Sequence, residues 1–210
     1  MDRESIILVG AGGHARACID VVEQEGRFLL AGLVGMETEV GTLVCGYAVL
    51  GTDAELPVLK ADHSHALVAV GQISSAAPRQ RLFEALTRAG WALPAIVSPH
   101  AYVSHHSVVG EGTIVMHGAV INAGATVGRN CIINSMALIE HDVVIADHCH
   151  VATAAVLNGG VQMGAGTFIG SGTVVREGIT IGEGCLIGMG QRIRTDCGAG
   201  MRVAGTMAVS

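Results

Sequence analysis

From Val97 onward every sixth residue is aliphatic or Met, running through Val115, Ile133, Val151, Ile169 and Ile187 to Ile193. Seventeen consecutive positions obey this rule without an insertion. The residue after the aliphatic is often Gly, as at Gly110, Gly128, Gly164 and Gly182, and the fifth residue of the hexad is usually small, as at Ala119, Cys131, Ala137, Cys149 and Thr167. A period of six fits neither a 3.6-residue helix nor a solitary strand. It specifies a parallel β-helix, in which each supersecondary unit is stable only when stacked on its neighbours. One aliphatic per hexad points inward and stacks on its copies at the ordinary strand spacing of about 4.7–4.9 Å. The composition agrees, with 30 Gly and only 3% aromatic residues: a narrow interior takes small aliphatics, and glycines turn its corners.

The chain before this array reads differently. All four prolines lie at or before Pro99, and leucine is common there but sparse afterwards. Ile6–Val9 reads as a buried strand and His14–Glu25 as a helix with Ala15, Cys18, Ile19 and Val22 on one face. Leu29–Val34 and Tyr47–Leu50 read as strands, Asp53–Lys60 as a helical segment, and Ala66–Val70 as a further strand. Ala76–Ala89 reads as an amphipathic helix around Leu82, Ala85 and Leu86. Alternating β and α signals predict a small parallel sheet flanked by helices. The expected organisation is an α/β, Rossmann-like domain over residues 1–96 followed by an all-β, parallel β-helix domain over residues 97–210.

Charge and composition exclude several classes. The formal net charge is -6 and Lys60 is the single lysine, so no basic stripe exists for nucleic acid. No apolar run reaches the length of a membrane span. The N-terminal residues lack the basic region and cleavage site of a signal peptide, which predicts a cytoplasmic protein. Six scattered cysteines without a C-x-x-C pair read as reduced, buried small hydrophobes, with Cys131 and Cys149 stacked inward.

Two segments carry chemistry. Gly10-Ala11-Gly12-Gly13-His14-Ala15 follows a strand and opens a helix, the setting in which backbone amides cradle a phosphate. The next strand ends at Val34-Gly35 without the acid that a dinucleotide enzyme places there, and the domain is short for a full dinucleotide fold; both argue against a nicotinamide dehydrogenase. Seven of the ten histidines fall between residues 100 and 150, and histidine is the natural general base near neutral pH. His141 stands between Glu140 and Asp142. Strand alternation puts those two acids on one side and His141 on the other, so contact with Asp142 requires a bend at a coil corner or help from a neighbouring chain. His148, Cys149 and His150 lack a metal-ligand frame of the H-x-x-x-H or C-x-x-C kind, and no metal is expected.

The hexads, together with the GAGGHA segment and the run NSMALIEHD at Asn134–Asp142, resemble the left-handed β-helix acyltransferases of the hexapeptide-repeat superfamily. Within it, the chain is similar to the sialic-acid O-acetyltransferase and bacillosamine N-acetyltransferase group, a likeness that Val156–Val175 shares. The resemblance implies coils of three hexads, a left-handed wind, a homotrimer, and acetyl-CoA bound between adjacent β-helices. It assigns the base to His141, the supporting acid to Asp142, and a place beside the acetyl-CoA thioester to His150. Asn134 matches a position near the reacting centre. Gly10, Gly12, Gly13, His14 and Gly71 match the nucleotide-sugar side. The closing Val203–Ala208 resembles a segment near the coenzyme. The implied activity is N-acetylation of a nucleotide-linked amino sugar in surface glycan synthesis, with O-acetylation of a sialic acid or related sugar as the alternative. Direct transfer is favoured over an acyl-enzyme, because no Ser or Cys has an evident activating partner.

Overall fold

A computed structural model describes residues 3–204. The N-terminal part comprises β1 (Ser5–Val9), α1 (Gly13–Glu25), β2 (Leu29–Val34), β3 (Leu43–Val44), β4 (Tyr47–Gly51), α2 (Leu56–Leu59), β5 (His65–Val68) and α3 (Ala77–Arg88). The sheet order is β3-β4-β2-β1-β5, parallel throughout except for β3 against β4. Ala15, Cys18, Ile19 and Val22 are buried, as the helical periodicity requires. The 53–60 segment is a short 3₁₀ turn followed by α2, and its N-cap is Thr52, whose hydroxyl accepts from the Ala54 amide.

Helix α3 departs from the expected face. It buries Arg79, Phe83 and Leu86, while Ala85 is exposed. The cause is tertiary. Phe83 fills the space over the Gly112 corner of the β-helix, where a Cβ would lie 2.6 Å from Cε2, and Arg79 reaches through to strand ends and a coil corner.

The β-helix begins with β6 (Ile96–Val97) and places a two-residue strand at each hexad as far as Arg192–Ile193. Each strand pairs in parallel with the strand 18 residues on, as in Ile114↔Ile132↔His150↔Phe168. Three hexads therefore make one coil, and three flat sheets enclose the core. The register tightens at the end, where Leu186 pairs with Arg202 and Ile181 with Cys197. The inward column holds Cys131 and Cys149, both fully buried, with the Cys149 amide 3.4 Å from the Cys131 sulfur. All six cysteines are free, and Cys45 alone is exposed.

Every coil corner from residue 112 to 190 contains one residue in left-handed backbone, spaced by six. Glycine occupies most of them, but five consecutive corners carry side chains: Asn130 (φ 52°), Met136 (φ 61°), Asp142 (φ 60°), His148 (φ 61°) and Ala154 (φ 55°). Left-handed backbone costs an L-residue roughly 1–2 kcal/mol, so this stretch concentrates local strain.

One of the three sheets faces the N-terminal part. Its outward residues Ile96, Ile114 and Ile132 join Ala15, Cys18 and Ile19 of α1 in a single apolar cluster. His117 adds a polar tie, with Nε2 2.8 Å from Asp20 of α1 and Nδ1 2.6 Å from the Ser98 hydroxyl.

The corners give a direct stability test. Ala154→Gly relieves a strained φ at an exposed position and is expected to raise unfolding free energy by about 0.5–1 kcal/mol. Gly160→Ala, where φ is +69° and no atom lies within 4 Å of a new Cβ, is expected to lower it by about 1 kcal/mol. Denaturant unfolding of both variants checks the pair; a destabilised Ala154→Gly would overturn the strain argument.

Candidate active site

Two groups of polar residues stand on different sides of the molecule. The first lies where α1 begins. Val9, Gly10, Gly12, Gly13, His14 and Gly71 line one cavity of about 500 Å³ at the carboxyl ends of the parallel strands, where ligands enter open α/β sheets. Gly10 has φ +124°, and a Cβ there would lie 2.8 Å from Val70 Cγ2, so only glycine lets β1 turn into the helix. Gly12 and Gly13 leave open space around them. No side chain caps α1 and no acid sits in its first turn, so its leading amides and positive dipole end are available to an anion. Gly35 is also explained: a Cβ would lie 2.7 Å from the Glu39 carboxylate and 2.9 Å from Ala11. The acids on this cavity are Glu39 and Asp53. Both were missed by reading only the end of the second strand, since they follow it by several residues.

Beside this cavity His150, on an outward strand position, is fenced in. Its Nδ1 lies 2.6 Å from the Gln72 carbonyl and its Nε2 lies 3.2 Å from the Asn134 amide nitrogen, while the ring meets Phe168 edge-on. The network assigns the neutral tautomer in which Nδ1–H donates to Gln72 and Nε2 accepts from Asn134. Burial, with Arg79 nearby, pushes His150 down to about 4 despite the Gln72 bond. Burial, then the charge of Arg79 and the neighbouring His150, pushes His14 down to about 3. The Nε2 atom of His14 and Oε1 of Gln72 are buried without a hydrogen-bond partner, so both await a polar group.

The second group is His141 with Asp142. Strand alternation does not apply to them, because the strand ends at Ile139 and Asp142 is the left-handed corner residue. That bend carries the carboxylate back to 2.9 Å from His141 Nδ1. Glu140 is held apart by Asn122 Nδ2, 3.0 Å away. Nδ1–H therefore donates to Asp142, and Nε2 is left unpaired. The ring lies over Gly159, where a Cβ would come within 2.6 Å of Nε2. The Asp142 hydrogen bond raises the His141 pKa above its ordinary value, reinforced by the charges of Asp142 and Glu140. An imidazole oriented by a carboxylate and offering a bare, more basic Nε2 is the arrangement of a general base.

These two groups are not brought together within one chain. His150 belongs to the sheet under the N-terminal part, whereas His141 lies at the corner joining the other two sheets. His105 and His106 stack on each other, and His148 packs edge-on against Phe83 of α3, unrelated to His150. No group of three or more His, Cys, Asp or Glu could hold a metal among the described residues. A second cavity, of about 430 Å³, lies on the same sheet as the strand leading to His141. It is lined by Asn158, Arg176, Arg192 and Arg194. Stacking the sequence at 18 residues would have found it, because Glu140, Asn158, Arg176 and Arg194 fall in one column. Gly205–Ala208, expected near the coenzyme, lie outside the described residues.

A triangular β-helix carrying a carboxylate-oriented imidazole at a corner, joined to an α/β part with a cavity at its strand ends, defines an acyltransferase of the left-handed hexapeptide-repeat class. Residues 5–86 match the PglD N-terminal domain, and residues 106–141 and 160–191 match the bacterial transferase hexapeptide repeats. The H141N mutant of perosamine N-acetyltransferase from Caulobacter crescentus, solved in complex with CoA and GDP-perosamine, is 32% identical, with 96% of this chain and 93% of that one covered and a TM-score of 0.90. The acetyltransferase domain of PglB from Neisseria gonorrhoeae, solved with acetyl coenzyme A, is 29% identical over 97% of each chain, with a TM-score of 0.89. WeeI from Acinetobacter baumannii shares the fold at 22% identity, with a TM-score of 0.78. No curated protein matches the chain. The chain belongs to the family of PglD-type hexapeptide-repeat sugar acetyltransferases.

The low-pKa histidines predict acid sensitivity. A histidine held neutral by the fold stabilises it fully above the unfolded value of 6.5 and progressively less as pH falls toward the folded value. For His14 and His150 that window runs from about 6.5 to about 3–4. Stability is expected to drop across it by on the order of 3 kcal/mol per histidine, and His150→Gln is expected to flatten the profile. Unfolding free energies at pH 7.5, 6, 5 and 4 test this.

Proposed function

We propose that this protein is an acetyl-CoA-dependent N-acetyltransferase acting on a nucleotide-linked amino sugar in surface glycan synthesis, with His141 as base and Asp142 as its orienting acid. The observation that carries the reading is the His141–Asp142 pair with its unpaired Nε2. As the sugar amine attacks the thioester carbonyl, Nε2 takes the amine proton. It returns that proton to the departing coenzyme A thiolate, so atoms and charge balance. The N-acetyltransferase relatives favour nitrogen over oxygen as the acceptor atom.

The other residues take roles by place. Gly10, Gly12 and Gly13 hold the diphosphate on the amides opening α1. His14, Gly71 and Asn134 face the sugar, and His150 stands beside the thioester. Arg176, Arg192 and Arg194 suit the phosphates of the coenzyme, since they lie two to three coils from His141 along one sheet, about 10–15 Å at ordinary strand spacing. That span suits the pantetheine arm. Residues 1–96 thus serve the acceptor and 97–210 the transfer. Nucleotide sugars and acetyl-CoA are cytoplasmic metabolites, in keeping with six free cysteines and with no helix among the described residues long and apolar enough to cross a membrane.

Because the acceptor cavity and His141 lie on different sides of one chain, a complete site needs a second copy, and a homotrimer closes such a heterologous contact into a ring. Tyr102, Val108, Val144 and Val174 support this, as exposed apolar residues on the two sheets not covered by the N-terminal part and a fitting surface for a partner β-helix.

With acetyl-CoA and a panel of UDP- and GDP-amino sugars, His141→Ala is expected to lower kcat by about 10²–10⁴-fold. Asp142→Asn removes the group that raises the His141 pKa, so the acid limb of kcat/KM against pH should move to lower pH; an unmoved limb removes Asp142 from the mechanism. Co-expressing His141→Ala with Gly12→Asp should regenerate roughly a quarter of wild-type activity, the statistical share of sites built from two intact halves. No regeneration would refute the shared site. Arg194→Ala is expected to raise the KM for acetyl-CoA about tenfold while leaving that for an acetylated pantetheine unchanged.

A further inference from the structure

Arg79 is fully buried. It has no carboxylate partner among the described ion pairs, and burial lowers it only to about 10, so it remains charged at neutral pH. Its two terminal nitrogens are held by oxygens from two separate parts of the fold, while Nε is buried without a partner. Nη1 donates to the Val68 carbonyl at 2.9 Å and to the Val70 carbonyl at 2.7 Å. Nη2 donates to Asn130 Oδ1 at 2.8 Å and to the Asn130 carbonyl at 3.2 Å. Val68 is the last residue of β5, and Val70 immediately precedes Gly71 of the acceptor cavity. Asn130 is a coil corner in strained left-handed backbone (φ 52°), and the adjoining strand carries Ile132, paired directly to His150.

Both ends of this bridge have a cost that packing alone does not offset. A buried cation gains more from a carboxylate or from replacement by an apolar residue than from carbonyls, and in this column glycine takes the corner at Gly112, Gly166 and Gly184, with His148 the other side chain beside Asn130. Asn130 nevertheless keeps its side chain, which returns a bond from Nδ2 to the Arg79 carbonyl and approaches His148 Nδ1 at 3.0 Å. The planar fork of arginine fits two separate acceptor pairs, which a lysine ammonium cannot match.

We propose that Arg79, with Asn130, is a positioning residue that fixes the acceptor-side strand end to the β-helix and so sets where the sugar amine arrives relative to the transfer histidines. It acts through Gly71, Gln72 and His150 rather than by touching substrate. The proposal rests on the acetyltransferase reading above, and the two fail in different ways.

The experiment compares Arg79→Lys, Arg79→Met and Asn130→Gly with wild type, scoring kcat, both KM values and thermal unfolding, with rates taken well below each Tm. Asn130→Gly is the decisive variant, because glycine relaxes the corner while deleting the acceptor of Arg79. It is expected to fold with an undiminished Tm, yet to lower kcat/KM for the nucleotide sugar tenfold or more, leaving the KM for acetyl-CoA within twofold. Arg79→Lys is expected to retain more activity than Arg79→Met. If Asn130→Gly and the folded Arg79 variants keep wild-type kcat/KM and lose only Tm, the bridge is structural and the proposal is overturned. If wild type acetylates no nucleotide-linked amino sugar, the acetyltransferase reading fails instead.

Discussion

The constraint on which the molecule depends is the corner. A three-sided coil closes only if the backbone turns sharply after each short strand, and here it does so through one left-handed residue every sixth position. Glycine meets that demand without a steric penalty. The corners that carry a side chain are consecutive, and three of the five make specific contacts. Asp142 holds His141, Asn130 holds Arg79, and His148 packs on Phe83. Left-handed backbone aims a side chain where a strand cannot, and strain of this kind persists where surrounding structure over-determines it. The Asp142 carboxylate meets the ring of the preceding residue only because its own φ is positive.

The same fold gives its histidines opposite electrostatics. His141 is largely exposed beside an exposed carboxylate, and its charged form is favoured. His14 and His150 are enclosed at the seam, beside the Arg79 guanidinium, and their charged forms are opposed by burial first and by that cation second. His14 and His150 are thus held neutral while His141 more readily takes a proton. Environments that push like groups apart assign acid–base roles, and the assignment follows from which face of the coil the N-terminal part covers.

The period of six made the β-helix and its inward column legible, because each hexad repeats one physical requirement and no long-range contact is needed to read it; the coil of three hexads rested on the family resemblance, and the pairing of strands 18 residues apart bears it out. The αβ alternation and the Gly10–Gly13 turn were legible for a similar reason, since strand, glycine turn and helix are local. The face of α3 was not. Its burial of Arg79 and exposure of Ala85 are decided by the Gly112 corner and by Asn130, remote in sequence. The sequence singled out His141 and His150 by motif and resemblance, but left the other clustered histidines without a role. His117 serves a tie to Asp20, and His148 an aromatic contact; only packing separates them from His141. Glu39 escaped notice because the chain loops before its carboxylate returns to the strand end, and Gly35 looked like a missing acid when it is the space that carboxylate needs.

That exchange at Gly35 bears on how the acceptor is held. Glu39 Oε2 accepts from the Met36 amide at 2.8 Å, so the acid is fixed by the turn that follows β2 rather than by the strand itself. A side chain at 35 would displace it, and one at Gly10 would block β1 from turning into α1. The cavity at the start of α1 is therefore shaped by close backbone approaches, and both the Glu39 and Asp53 carboxylates and the residues opening α1 line it. The cavity beside Asn158 gathers three arginines on a chain with few cations. In the proposed reaction a diphosphate on the α1 amides and a coenzyme on the guanidinium groups would thus be kept in separate fields, with the exposed imidazole at the corner as the group to move the proton between them.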